Sequence, residues 1–189
     1  AKNHGARLMI DEAHSAFLFG ENGRGVVEHF NLEDEVDIHM GTFSKALGGI
    51  GGYICGDREL VNYLEAYARS RFFSCTLPPA VSAGVLASLK HIEKNPDLRW
   101  QLWRNAGYLT RRLKEEGVDT GNTQSQVIPV MIYVFAGMLG VTLFGIFLTP
   151  VSYPAISKGK ARMRISVSAA HTQDQLEYAA KTIALVLNK

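Results

Sequence analysis

VDIHMGTFSKALGGIGGYICG, residues 36–56, carries the decision about the fold. An apolar run leads directly into Thr42, Ser44 and Lys45, then into glycines 48, 49, 51 and 52, then into a second apolar run. Upstream, RLMIDEAHS (residues 7–15) supplies another short apolar run that ends on Asp11, Glu12 and His14. Short apolar runs alternating with helical patterns are what a parallel sheet requires. This part of the chain therefore reads as α/β, with RLMID, VDIHMG and GGYICG as buried strands. Asp11, Glu12 and His14 then sit at the carboxyl end of a parallel strand, where open α/β sheets hold their ligands. A buried Asp11 carboxylate is unfavourable unless a cation meets it. The neighbouring strand delivers one, because Lys45 follows VDIHMG at the same edge of the sheet.

Working outward, Gly5 stops a short helical end before the first strand. Asp57 caps a helix with Leu60, Val61, Leu64 and Ala68 on one face. Pro78 and Pro79 open a second helix that runs to His91. Asn95 and Pro96 start a third, which carries Leu98, Leu102, Ala106, Leu109 and Leu113 and ends at Gly117. Beyond it, VIPVMI and RMRISVS read as strands. Thr172 and Gln175 form a capping box for a last helix with Leu176, Ala179, Ala180, Ile183 and Leu187 inward. The organisation is thus residues 1–95 as part of a large α/β domain and residues 96–189 as a small α+β domain. The chain has no initiator Met and enters a strand almost at once, so it is expected to begin inside a fold.

With 189 residues, 47% of them hydrophobic and 20% charged, the chain has the composition of a globular protein. A net charge of +2 with scattered cations argues against a nucleic-acid partner. Cys55 and Cys75 lack metal-ligand spacing, so no metal site is expected, and two cysteines are too few for a disulfide framework; reduced thiols and a cytoplasmic setting follow. Residues 127–151 are long and apolar enough to raise a membrane span. Their prolines and glycines, with β-branched residues at both ends, favour two strands and a linker instead. DEAH also matches the acidic box of helicases, but the GxxxxGK[ST] loop that such a reading needs is absent from the sequence.

A lysine amine, a carboxylate and small hydroxyls beside glycines fit bound pyridoxal 5'-phosphate. Lys45 would form the Schiff base, Asp11 face the pyridine nitrogen, and Thr42 and Ser44 hold the phosphate. A carboxylate about 4 Å from the ring nitrogen favours its protonated form by roughly 4 kcal/mol at an effective dielectric near 20. Bare glycines let the backbone approach a cofactor without Cβ clashes.

The ordered set DEAHS, GENGRG, GTFSKALGG, FFSCTLPP, RMRIS and AAHT resembles the α-oxoamine synthases, pyridoxal-phosphate enzymes of aminotransferase fold type I. The resemblance covers nearly the whole chain except about residues 133–147. It implies catalytic roles for Lys45, Asp11 and His14, with His14 bonded to the ring hydroxyl, and it implies phosphate binding by Thr42 and Ser44. Ser74 and Thr76 would assist across a homodimer interface, and Arg164 would grip the amino-acid carboxylate through its bidentate fork. The implied reaction is decarboxylative condensation of an amino acid with an acyl-CoA to an aminoketone. It leans toward the serine palmitoyltransferase-like branch, with glycine C-acetyltransferase, 8-amino-7-oxononanoate synthase or a non-catalytic partner subunit as alternatives. Family members also carry an upstream half, with a ring-stacking histidine and a glycine loop, that this sequence does not contain. His171 receives no role, and Trp100 and Trp103 read as packing or interface residues.

Overall fold

A computed structural model of the chain describes residues 1–131 and 144–187. Most of the apolar stretch 133–147 lies outside the described residues. Two compact units divide the chain, Ala1–Pro96 and Asp97–Lys189.

In the first unit a single 3-10 turn, Lys2–His4, ends on Gly5 at φ 64, the left-handed conformation expected of a helix stop. The strands β1 (Met9–Asp11), β2 (Ile38–Thr42) and β3 (Gly52–Cys55) form one sheet in that order. Strand β2 lies parallel to β1, with Asp11 opposite Met40. A carboxylate fixes that register. Asp37 accepts the Leu8 N–H at 2.8 Å and the Arg7 guanidinium at 2.8 Å, and these donors hold its pKa below the ordinary carboxylate value. Between the strands run α1 (Val26–His29) and a 3-10 turn, Glu33–Glu35.

Strand β3 departs from the expected parallel order, because it runs antiparallel to β2. Only residues 43–51 join the two, and a parallel crossover takes a dozen residues or more. The strands are also less buried than their composition implies. Met9 is half exposed, and Val27 and Leu47 are the buried hydrophobics of this unit. Next, α2 (Arg58–Tyr67) is capped by Asp57, whose carboxylate accepts the Leu60 N–H at 2.7 Å. A short α3 (Arg69–Phe72) precedes α4 (Pro79–Lys94), which opens on proline as expected and runs one turn past His91.

The second unit has the denser core. It contains α5 (Asp97–Glu115), β4 (Val127–Met131), β5 (Thr149–Val151), β6 (Arg162–Ser166) and α6 (Gln173–Leu187). Its antiparallel sheet has the order β4-β6-β5. Ile128 pairs with Ile165 and Val130 with Met163, and all four are buried on one face. Leu102, Ala106, Leu109 and Leu113 of α5 and Leu176, Ala180 and Ile183 of α6 complete the core. Thr172 and Gln175 exchange hydrogen bonds reciprocally, so the capping box forms as read. No helix of the described residues is long and apolar enough to cross a membrane.

A polar clamp ties α5 to α6. Arg112 donates to Glu177 at 2.7 and 2.9 Å, Tyr108 donates to it at 2.8 Å, and Lys181 lies 3.2 Å away. The Arg112 and Tyr108 donors hold the Glu177 carboxyl at about 2. A carboxyl depressed on folding stabilises the fold above its unfolded value, and that contribution is lost as pH falls through the folded one. We therefore expect the urea midpoint of the α5–α6 unit to fall between roughly pH 5 and pH 2. Glu177→Gln should lower the midpoint at neutral pH and flatten its acid slope, both read by circular dichroism.

Candidate functional site

Pairing and pleat decide which side chains share a face. Asp11 pairs with Met40, and Thr42 lies two residues further along β2, so Asp11 and Thr42 project from the same face at the carboxyl edge. Lys45 follows in the exposed turn, three residues beyond the end of β2. His14 is exposed in the turn after β1. Five of the expected residues, Asp11, His14, Thr42, Ser44 and Lys45, thus cluster where two parallel strands end.

The Lys45 turn is closed by its own backbone and one hydroxyl. Gly51 O accepts the Phe43 N–H at 2.9 Å and the Thr42 hydroxyl at 3.0 Å, and Phe43 O accepts the Gly49 N–H at 2.7 Å. Thr42 Oγ1 also accepts the Ser44 N–H at 3.2 Å and lies 2.8 Å from Ser44 Oγ. Because the Thr42 proton is committed to Gly51, the Ser44 hydroxyl is the donor of that pair. The glycines serve the chain's own packing more than expected. A Cβ at Gly49 would meet Val85 at 2.5 Å, one at Gly51 would meet Leu77 at 2.8 Å, and one at Gly52 would meet Gly41 O at 2.7 Å. Gly48 has open space, and its φ of 63 is what a non-glycine residue would resist.

Within this chain alone, Asp11 is not covered as the sequence reading expects. It is exposed, and its Oδ1 accepts the Ala13 N–H at 2.8 Å, which leaves the other oxygen outward. The buried carboxylate is its neighbour Glu12, 3% exposed. Glu12 accepts the Val26 and Val27 N–H groups at 3.0 Å each and the Ser15 hydroxyl, so it ties the end of β1 to the first turn of α1. A Cβ at Gly25 would lie 2.4 Å from that carboxylate. Glu28 clamps the same GENGRG loop through the Asn22 and Arg24 N–H groups and the Asn22 amide. Desolvation pushes the Glu28 carboxyl up, but those donors outweigh it and hold its pKa below the ordinary value. Sequence reasoning missed this role of Glu12; the signal was an acidic residue just past a strand, ahead of a helix start whose first N–H groups need acceptors.

Ser74 and Thr76 are exposed on the segment after α3, and Ser74 donates to Ser70 O. Arg164, expected at a sheet edge were it only structural, is instead on the central strand β6 between Pro129 and Thr149. It projects from the face opposite the core, and its buried Nε finds no hydrogen-bond partner among the described residues. His171 is part of the scaffold. Its Nδ1 accepts the Ser168 N–H at 3.2 Å, while Asn105 Nδ2 donates to Ser168 O and His171 O at 2.9 Å each. Trp100 is half exposed, and Trp103 lines a groove of about 470 Å³ that holds none of the expected site residues.

The family model for aminotransferase class I and II matches residues 1–183. The 8-amino-7-oxononanoate synthase of Petrotoga mobilis is 43% identical over 95% of this chain and 47% of its own length. The serine palmitoyltransferase of Sphingobacterium spiritivorum is 37% identical over 100% of this chain and 48% of its own. A solved structure described as SPT with PLP superposes with a TM-score of 0.93 at 31% identity, covering 98% of this chain and 48% of that one. The chain spans about half the length of the curated relatives it matches. The mixed α/β architecture is accordingly that of aminotransferase fold type I.

The Glu12 clamp can be measured without any ligand. Glu12→Ala leaves buried N–H groups unsatisfied and should cost about 2–3 kcal/mol in urea unfolding. Gly25→Ala, which forces a methyl against the carboxylate at φ 114, should cost as much or more.

Proposed function

The chain belongs to the aminotransferase class I and II family, and from that premise we propose that it serves a pyridoxal-phosphate-dependent α-oxoamine synthase. The reaction joins an amino acid to an acyl-CoA and releases CoA and CO2, leaving an aminoketone. The observation that carries this reading is the shared face and edge of Asp11 and Thr42, with the Lys45 amine in the turn that follows. The donor set suits the cofactor: one primary amine for its aldehyde, one carboxylate for its ring nitrogen, and a pair of hydroxyls for its phosphate.

When bound, pyridoxal phosphate supplies an electron-withdrawing ring that steadies a carbanion at the amino acid's α-carbon. Lys45 Nζ would hold the cofactor through its aldehyde, and as a free amine it would take the proton from the substrate α-carbon. Asp11 would keep the ring nitrogen protonated with the oxygen that Ala13 does not occupy. His14 would orient the ring through its hydroxyl, and the Ser44 O–H, which here faces Thr42, would serve the phosphate. The Thr42 proton is held by Gly51 O, so its own donation to the phosphate requires that bond to open. Ser74 and Thr76 would serve the phosphate of a second copy, in a homodimer for which exposed Tyr63, Tyr67, Phe72 and Phe73 offer an apolar surface. Arg164 Nε, buried and without a hydrogen-bond partner among the described residues, would gain an acceptor when the amino-acid carboxylate binds. The setting is cytoplasmic, as two exposed free thiols suit a reducing compartment.

The substrate pair we assign is that of the serine palmitoyltransferase-like branch. A second reading, formation of 8-amino-7-oxononanoate, is favoured by the 43% identity to the Petrotoga mobilis enzyme. Addition of pyridoxal phosphate should produce a yellow absorbance that Lys45→Ala abolishes; absence of colour both in this chain and in a longer protein that contains it overturns the reading. Arg164→Ala should weaken the spectral response to amino acid at least tenfold while leaving cofactor capture intact, and loss of both would remove Arg164 from the substrate site.

A further inference from the structure

The back of the β1–β3 sheet carries a feature that none of the roles above uses. Tyr53 pairs with Gly41 across β2 and β3, so its side chain leaves the face opposite Asp11 and Thr42. The ring crosses over β2 and lies on Gly41: a Cβ there would be 2.2 Å from Tyr53 Cζ and 2.3 Å from its hydroxyl oxygen. Gly41 is buried beneath it. The same ring stacks on Phe43, with centroids 5.4 Å apart and planes 30° apart.

Phe43 is the residue at which the Lys45 turn begins and closes. Its N–H donates to Gly51 O and its carbonyl accepts from Gly49. On the front of the sheet, its two neighbours are Thr42 and Ser44. The aromatic pair therefore grips the turn from behind, at the residue whose two backbone groups hold the turn shut.

We propose that Tyr53 is a positioning residue for Lys45, acting through Phe43 and seated on Gly41; the part concerning Lys45 chemistry rests on the cofactor reading above. The ring does this by shape and stacking, since offset aromatic pairs have a preferred geometry that an aliphatic side chain cannot reproduce. Its hydroxyl is dispensable. Burial, followed by the nearby Cys55 and Glu12, pushes the Tyr53 phenol up, so it stays neutral and adds no charge to the site.

The test uses two readouts on the chain, one of them free of cofactor. In Tyr53→Ala, hydrogen exchange at the Phe43 and Gly49 amides should quicken by about tenfold or more, while amides of the β4–β6 ladder keep wild-type protection. Tyr53→Phe should restore both turn amides to within about twofold, because the stack survives. Gly41→Ala presses on the same ring from below and should loosen the turn in a folded protein even where Tyr53→Ala folds poorly. With pyridoxal phosphate added, the pH midpoint of the yellow species should move in Tyr53→Ala and Gly41→Ala and stay in Tyr53→Phe, a signature that general destabilisation does not give. Unchanged turn-amide exchange in both Tyr53→Ala and Gly41→Ala overturns the proposal whatever the cofactor does. A Tyr53→Phe variant as loose as Tyr53→Ala overturns it equally. Quickened exchange in these variants, with no colour either in this chain or in a longer protein that contains it, upholds the grip on the turn and sinks the cofactor reading instead.

Discussion

The return from β2 to β3 in nine residues constrains everything at this edge of the sheet. That length permits an antiparallel neighbour and forbids a helical crossover. The turn carrying Lys45 must therefore stay at the carboxyl end of β2, beside the end of β1, instead of being carried across the sheet. A nine-residue loop left open would still wander. Here Gly51 O takes one backbone and one side-chain donor, and Phe43 O takes a third, so the loop's ends are locked together and its middle is displayed. Thr42 is where support and function meet: a hydroxyl that closes the turn is also one that the site would ask to bind an anion.

The adjacent carboxylates of DEAHS divide support from chemistry by the two-residue period of a strand. Asp11 faces outward on the side of Thr42, with one oxygen uncommitted to the chain. Glu12 faces the opposite way and is buried, a position that is tolerable because three donors reach it. Its hydrogen bonds hold the start of α1 against the end of β1. Asp11, the carboxylate of the proposed chemistry, is thus the exposed one here, and Glu12 beside it keeps that strand end in place.

The sequence was most legible where a local rule decides the outcome. Gly5, Asp57, Pro79 and the Thr172–Gln175 box end or begin helices by contacts within four residues, and each does so in the structure. The inward faces of α5 and α6 followed from helical period, with Leu98, Ala179 and Leu187 less buried than the rest. What escaped was set by pairs distant in sequence or by the sheet's third dimension. Arg112 meets Glu177 across 65 positions. The Tyr53 seat on Gly41 exists only after β3 has been placed antiparallel, and the alternation of apolar runs argued for the other direction. Arg164 was readable as a candidate by resemblance, but its place on a central strand depends on β5, whose three residues give little pattern of their own.

Within this chain, which spans about half the length of its curated relatives, the two units are held by different contacts. In the second, a continuous set of buried aliphatics on α5, α6, β4 and β6 supplies stability that single polar contacts only adjust. The first buries Val27 and Leu47 and little else of that kind. Its geometry is fixed instead at separate points: Asp37 on Leu8 and Arg7, Glu12 on α1, Glu28 on the glycine loop, and Thr42 on Gly51. Hydrogen bonds of this sort add about 1 kcal/mol each, yet they are directional, and leaving a buried partner unmet is costly. Pinned in this way, the sheet edge holds the backbone that carries Asp11, His14, Ser44 and Lys45.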